Sequence, residues 1–262
     1  MSCHPEVPYW PRKEPDEVQW QRELRFAERV QALMSGMKSV AGAGAEAAGC
    51  SIPHYAVGGD YFDILPLSDG GLRVIVADVM GKGFGAAMIM TMVRSAVRSA
   101  THAGLAPGAL LKHTNDMLYE DLQQVGAFVT LSCTDYQPAS RTVTVAGAGH
   151  PYPWLMRGEN PTVRIEARGV SVGMLPNRRY QEQVVAVEPG DRLVVYSDGI
   201  VEARESDGRE LGIPGLESLV RAVTGQRGRE WLKAVLFAVA ARAREVRDDV
   251  TLAVVEFGDN KK

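Results

Sequence analysis

Two aspartates, Asp60 and Asp78, lie at equal distances from the turn of a predicted β-hairpin. Residues 68–71 read SDGG, a turn signal, and they separate two apolar segments, 56–66 and 72–78, that are typical of strands. If these strands pair in register, the two aspartates lie opposite each other, with Cα atoms ~4.5–5.5 Å apart. Carboxylates that close repel each other unless one is protonated or a cation lies between them. The spacing therefore suggests a cation site, and a solvated surface pair without a ligand is the alternative.

Three further aspartates follow the same logic nearer the C-terminus. Asp198 follows the apolar run RLVVYS, and the pair Asp248 and Asp249 precedes the run VTLAVVEF. If the two runs are neighbouring antiparallel strands, the end of one meets the start of the other and the carboxylates come together. A turn at Asp-Gly and a cap at Asp-Asp are the alternatives for each motif alone. The five carboxylates, with no histidine or cysteine at ligand spacing, favour a hard cation such as magnesium or manganese.

A glycine-rich segment begins one residue after Asp78. Residues 79–88 read VMGKGFGAAM and run directly into an apolar segment typical of a helix. Glycines allow a backbone to approach a ligand, and the first turn of a helix favours anions. Gly81, Lys82 and Gly83 are therefore candidates for binding a substrate, and a tight strand-to-helix connection is the alternative explanation. The Walker pattern GxxxxGK[ST] is absent from this segment.

Length, charge and cysteine content limit the class of protein. The 262 residues suit one large domain, with or without a short extension, and 45% of them are hydrophobic, enough for a sizeable core. A net charge of −3 without a basic run argues against a nucleic-acid partner. No apolar stretch approaches the ~20 residues of a membrane helix, and the N-terminus lacks the apolar centre of a signal peptide. The 3 cysteines form no pair with disulfide or zinc spacing, so we expect a cytoplasmic protein with no membrane contact.

The pattern of apolar residues divides the chain into three parts. Residues 1–16 are polar and proline-rich and are predicted to be disordered. Residues 17–39 are predicted to form a helix, and the small residues of 41–49, AGAGAEAAG, a flexible linker, so that the folded domain spans 50–258. The helix carries one apolar stripe at spacings of three and four, formed by Trp20, Leu24, Ala27, Val30 and Leu33.

The order of predicted elements within the domain indicates an α+β fold. After the hairpin we expect helices at 86–100, 107–122, 214–223 and 230–246, and strands at 127–135, 142–148, 153–157, 183–187, 192–197 and 250–257. No series of alternating strands and helices appears, so the sheets should be mainly antiparallel. Two sheets with helices stacked outside them satisfy this order.

Six motifs along the chain carry a resemblance to a known family. They are VGGDYFDILPL (57–67), ADVMGKGFGAAMIM (77–90), AGAGHPYPWLMR (146–157), GVSVGMLPNRRY (169–180), PGDRLVVYSDGIVEARESDGRELG (189–212) and DDVTLAVVEF (248–257). In this order they resemble the SpoIIE/RsbU branch of the PPM, or protein phosphatase 2C-like, metal-dependent phosphatases. The resemblance implies an α-β-β-α sandwich, with two mainly antiparallel sheets flanked by helices.

The resemblance also implies roles for the aspartates. It places Asp78 between two divalent cations, Mn²⁺ or Mg²⁺, with the carbonyl of Val79 as a further ligand. Asp60 would serve one metal directly or through water. The remaining positions match Asp198 and Asp248, on the other side of the metals, and Asp249, which is usually near them. Which of the two neighbouring aspartates binds metal stays open.

The implied activity is the hydrolysis of phosphoserine or phosphothreonine without a covalent enzyme intermediate. Two cations lower the pKa of a water, and the water attacks phosphorus in line. Many eukaryotic-type relatives have a histidine two residues after the bridging aspartate, where this chain has Met80, and an arginine upstream of it, where none occurs between Arg29 and Arg73. The proton donor is therefore unassigned. His150, in GHPYP, is a candidate, with a structural role as its alternative.

The family suggests a regulatory phosphoprotein as substrate, an anti-sigma-factor antagonist of the STAS type in a bacterial partner-switching pathway of the stress response. A binding module that kept the fold with weak catalysis is one alternative, and a hydrolase of small phosphate esters is another. The family also suggests that the N-terminal helix contacts a regulatory partner or a second copy of the chain, and packing on its own domain is the alternative.

Overall fold

The computed structural model describes residues 14–158, 160 and 162–259. Its helices are α1 Glu17–Ser35, α2 Gly83–His102, α3 Pro107–Val125, α4 Asp198–Val201, α5 Gly212–Ala222 and α6 Gly228–Arg242. Its strands are β1 Lys38–Gly42, β2 Ala45–Ile52, β3 Tyr61–Pro66, β4 Leu72–Val79, β5 Val129–Gln137, β6 Thr142–Ala148, β7 Trp154–Met156, β8 Val163–Arg164, β9 Glu182–Ala186, β10 Arg192–Tyr196 and β11 Val250–Phe257. Most of the predicted tail, residues 1–13, lies outside the described residues.

The strands form two antiparallel sheets that pack face to face. One sheet has the order β1-β2-β11-β10-β7-β8 and the other the order β3-β4-β5-β6-β9. An apolar layer between them includes Phe62 and Val76 from one sheet and Leu193 and Val255 from the other. Helices α2 and α3 cover the outer face of the second sheet, and α5 and α6 cover that of the first. The predicted sandwich of two antiparallel sheets between helices is confirmed.

The hairpin of β3 and β4 has the predicted register. Tyr61 pairs with Ala77, and every following pair keeps the same register down to Pro66 and Leu72 beside the turn. Asp60 lies one residue before the first pair, so the same count sets it opposite Asp78. In the other sheet β10 and β11 are antiparallel neighbours. This is the pairing that was expected to bring Asp198 close to Asp248 and Asp249.

The predicted flexible linker at 41–49 is wrong. These residues belong mostly to β1 and β2, and β2 pairs with the full length of β11. Small side chains are needed here because β2 is buried on both faces, with Ala47 in the layer between the sheets and Ala48 under α6. A Cβ atom on Gly49 would lie 2.3 Å from the ring of Phe62. The folded domain therefore begins near residue 38 and not at residue 50.

The N-terminal helix ends at Ser35, four residues before the predicted end, and its predicted apolar stripe divides between two faces. Leu24 and Ala27 are partly buried against the domain, and Gln31 is buried on the same face. Leu33 is 82% exposed on the opposite face. Among the described residues, no helix has the length and apolar character to cross a membrane.

Candidate active site

Five aspartates from four strand ends meet at one end of the sandwich. Asp60 precedes β3, Asp78 is the penultimate residue of β4, Asp198 opens the short helix α4 after β10, and Asp248 and Asp249 precede β11. A contact between the sheets joins them, because the Thr251 hydroxyl donates to Oδ2 of Asp60 at 2.5 Å. The structure thus brings together the two groups of carboxylates that the sequence singled out separately.

The carboxylates resist ionisation in each other's presence. Burial raises the pKa of Asp78 to about 9, and the charges of the other four aspartates add to that rise. Burial also raises the pKa of Asp60 to about 7, with Asp249 and Asp198 raising it and the Thr251 hydroxyl lowering it. The pKa of Asp198 is also raised, mainly by burial and next by the charge of Asp248. A proton or a cation at this site would relieve the repulsion.

The neighbours Asp248 and Asp249 have different surroundings. Both oxygens of Asp249 accept backbone hydrogen bonds, Oδ1 from His54 at 2.7 Å and Oδ2 from Gly59 at 2.7 Å and Asp60 at 3.1 Å. Asp248 is more open, and Lys82 Nζ lies 2.7 Å from its Oδ2. Asp249 therefore anchors the chain before β3, whereas Asp248 pairs with the Lys82 ammonium.

The carbonyl of Val79 lies at a close approach of two backbone segments. A Cβ atom on Gly59 would come within 2.9 Å of this oxygen. Only a residue without a side chain fits between β4 and the segment that leads to Asp60. The close packing holds the carbonyl beside the two hairpin aspartates.

The glycine-rich segment forms the exposed start of α2. Gly81 and Gly83 have φ angles of 96° and 72°, in the left-handed region that favours glycine. Lys82 between them is the residue before the first turn of α2 and makes no side-chain capping hydrogen bond. Its ammonium pairs with Asp248 and donates to the carbonyl of Arg247. The positive charge expected to contact a substrate thus contacts a carboxylate of the site.

His150 is buried beside the site. Its side chain is 5% exposed, and Nδ1 lies 2.8 Å from Oγ1 of Thr130, the residue paired with Asp78 across β4 and β5. Burial lowers the pKa of His150 to about 3, against a smaller opposing effect of the Tyr196 backbone. The imidazole is therefore neutral at physiological pH, and it lines a cavity of about 460 Å³ with Asp198.

Sequence patterns did not identify three polar residues that support the site. Thr251 and Thr130 lie on buried strands, where a hydroxyl interrupts the apolar pattern and is the only signal of a role. Gln31 lies on α1, and its amide pairs with the backbone of Gly58. Nothing local in the helix sequence indicates that contact.

The donor set fits a hard divalent cation by its chemistry. It consists of carboxylates and a backbone carbonyl, the oxygen ligands that magnesium and manganese prefer. As they stand, no three His, Cys, Asp or Glu side chains in the described ranges are grouped to hold a metal ion. Two of the five carboxylates already have side-chain partners, because Asp60 accepts from Thr251 and Asp248 pairs with Lys82. Lys82 therefore contacts one of the carboxylates that the sequence predicts as metal ligands.

Comparison with known proteins agrees with this arrangement. The profile of the family described as Stage II sporulation protein E (SpoIIE) matches residues 68–258, more than half of the chain. The chain belongs to the SpoIIE family. It is 27% identical over 235 residues to the phosphoserine phosphatase RsbU of Bacillus subtilis (strain 168), covering 89% of this chain and 69% of RsbU. Family and relative together make this SpoIIE-family chain a phosphatase.

Solved structures share the fold of this SpoIIE-family chain. The SiaA-PP2C domain of Pseudomonas aeruginosa has a TM-score of 0.77 at 20% identity, covering 92% of this chain and 98% of that one. The RsbU and RsbW domains of Rv1364c from Mycobacterium tuberculosis give 0.72 at 24% identity, over 87% and 64% of the two chains. RsbX, solved in complex with magnesium, gives 0.66 at 15% identity, over 85% and 100%. At these identities the likeness concerns the fold.

Proposed function

We propose that the chain is a two-metal protein phosphatase that hydrolyses phosphoserine or phosphothreonine on a regulatory protein. One observation carries the proposal. Four strand ends from two sheets bring five aspartates together, and burial with mutual repulsion raises the pKa of Asp78 to about 9. Such a concentration of buried carboxyl groups is typical of a site that binds cations.

The two Mn²⁺ or Mg²⁺ ions would be held by oxygens at this end of the sandwich. The proposed ligands are Asp60, Asp78, the carbonyl of Val79, Asp198 and Asp248. When bound, the cations would supply charge neutralisation for the phosphoryl group and lower the pKa of a water molecule. Asp249 has a positioning role in this proposal, since both of its oxygens hold backbone N–H groups.

The chain's own residues would bind and orient the phosphoryl group. The turn at Gly81 and Gly83 exposes backbone N–H groups at the first turn of α2, where the helix dipole favours an anion. Lys82, once released from Asp248, would add a positive charge there. Cys50 and Cys133 are buried, and burial raises the pKa of both thiols. Neither suits a nucleophile, which supports direct attack by water.

The proposed substrate is a phosphorylated STAS domain in a bacterial partner-switching pathway, and the proposed compartment is the cytoplasm. RsbU, a phosphoserine phosphatase, is the relative that supports a phosphoserine substrate, and the family resemblance suggests the STAS domain that carries it. The alternative is a binding module with weak catalysis.

Helix α1 is the proposed contact with a regulatory partner or a second copy of the chain. Phe26, Val30 and Leu33 form one outward face, and they are 57%, 38% and 82% exposed. Their spacing of four and three residues makes a continuous apolar stripe on the side of α1 that does not touch the domain.

The experiment is phosphate release from a phosphorylated STAS protein and from p-nitrophenyl phosphate, each titrated with manganese. We expect metal-dependent release from the phosphoprotein, with Asp198→Asn nearly inactive. Manganese should also raise the melting temperature of the wild type in a concentration-dependent way, by binding the folded state alone. Activity that persists after chelation would contradict the two-metal proposal. Hydrolysis of the small ester alone would contradict the protein substrate.

A further inference from the structure

The segment that leads into Asp60 is held from two sides by side chains distant in sequence. On one side, Gln31 of α1 donates from Nε2 to the carbonyl of Gly58 at 3.0 Å and accepts from the Gly58 N–H at 2.9 Å. On the other side, Oδ2 of Asp249 accepts from the next two N–H groups, those of Gly59 and Asp60. Three consecutive N–H groups before β3 thus have fixed partners.

The same segment has no space to shift. A Cβ atom on Gly58 would lie 2.1 Å from Oδ2 of Asp249, and one on Gly59 would lie 2.9 Å from the Val79 carbonyl. The segment therefore packs against Asp249 on one side and against the Val79 carbonyl, a proposed metal ligand, on the other. A small displacement of its backbone would move the side chain of Asp60.

The geometry points to Gln31 as a positioning residue for Asp60, and this inference rests on the proposed metal site. Gln31 is 4% exposed and is one of two buried residues on α1. The primary amide of Gln31 has both a donor and an acceptor. It therefore satisfies both the N–H and the carbonyl of Gly58, as the backbone of a neighbouring β-strand would. Without it, the N–H and the carbonyl of Gly58 would be buried without hydrogen-bond partners, which destabilises this arrangement of the segment.

The contact between Gln31 and Gly58 links the position of α1 to the proposed metal site. Lys38, just after α1, donates to the Met34 carbonyl and to Asp63, which ties the end of the helix to β3. Gln31 adds a link to the segment that precedes the same strand. Metal affinity is therefore set in part by a helix that contributes no ligand.

The test compares Gln31→Met with Gln21→Met in the full chain. Gln21 is exposed on α1 and its side chain donates to Glu17, so its replacement is the matched control. Manganese binding is measured by titration calorimetry, and hydrogen exchange of residues 57–60 is measured in EDTA. We expect Gln31→Met to weaken manganese binding at least about tenfold, the usual effect of removing a partner that orients a ligand. The N–H groups of Gly59 and Asp60 should exchange faster, and Gln21→Met should match the wild type in both.

A second variant approaches the segment from the other side. Gly58→Ala introduces a methyl group against Asp249 and should also weaken manganese binding, with the amide of Gln31 intact. If Gln31→Met binds manganese like the wild type and is only less stable, the inference fails while the phosphatase proposal stands. If the wild type binds manganese but releases no phosphate, the proposed function fails, and calorimetry still decides the role of Gln31. A wild type that bound no manganese would overturn both.

Discussion

Lys82 Nζ lies 2.7 Å from Oδ2 of Asp248, so a positive charge from the glycine-rich turn contacts a proposed metal ligand. Burial lowers the pKa of Lys82, but the hydrogen bond and charge of Asp248, together with the charges of Asp249 and Tyr55, raise it overall. The ammonium is therefore present throughout the physiological range. In the proposed site, a cation competes with this ammonium for the carboxylate oxygen.

Replacing Lys82 with methionine should tighten manganese binding, because the competing ammonium is gone while the length of the side chain is kept. We expect the dissociation constant measured by calorimetry to fall about tenfold, the equivalent of about 1.4 kcal/mol. Lys112→Met is the control, since Lys112 pairs with Asp116 on the distant surface of α3. Weaker manganese binding by the Lys82 variant would contradict competition and favour a supporting role for the lysine.

Asp78→Asn should nearly abolish turnover while the protein stays folded. The bridging position would lose its charge where two cations are proposed to meet. We expect less than a tenth of wild-type phosphate release at saturating manganese, measured with circular dichroism as the check on folding. Activity above that level would contradict the assignment of Asp78.

The same substitution should change how the stability of the metal-free protein depends on pH. The pKa of Asp78 is raised to about 9, whereas an unfolded aspartate has a pKa of about 3.9. The folded state therefore binds more protons between these values, and stability falls as pH rises through that window. Melting temperatures in EDTA at pH 5, 7 and 9 should decrease for the wild type and decrease less for Asp78→Asn. Asp116→Asn, on the exposed surface of α3, should keep the wild-type slope.

His150 should remain neutral across the working pH of the protein. Burial lowers its pKa to about 3, so the folded state disfavours the imidazolium throughout the range from pH 5 to 9. We expect its side-chain nitrogen NMR signals, assigned with His150→Gln, to stay constant over that range. A titration with a midpoint above about 5 would contradict this expectation and restore His150 as a candidate proton donor.

Two single substitutions on α1 should separate its two faces. Leu24 is partly buried against the domain, so Leu24→Ser should lower the melting temperature. Leu33 is 82% exposed, so Leu33→Ser should leave stability unchanged and shift the mass in solution toward monomer, measured by light scattering. If Leu33→Ser keeps both the mass and the basal activity of the wild type, the outward face of α1 has no partner of this kind.

The sequence alone determined the elements with strong local patterns and the five aspartates that the structure brings together. β6 and β11 have the predicted boundaries, because turns and apolar runs mark both ends of each strand. The register of the hairpin followed from the position of its turn, so the spacing of the residues was enough to place Asp60 opposite Asp78. The expectation of oxygen ligands followed from five aspartates at the ends of predicted strands.

Only the tertiary structure decided what depends on contacts between distant residues. The alanines and glycines of 41–49 are small because β2 is buried on both faces, and a local window cannot tell this from flexibility. Asp249 and Asp60 are 189 residues apart, and Gln31 and Gly58 are 27 apart. Such pairs form only when sheets and helix close on one another, because a side chain's partner is set by packing and not by its neighbours in sequence.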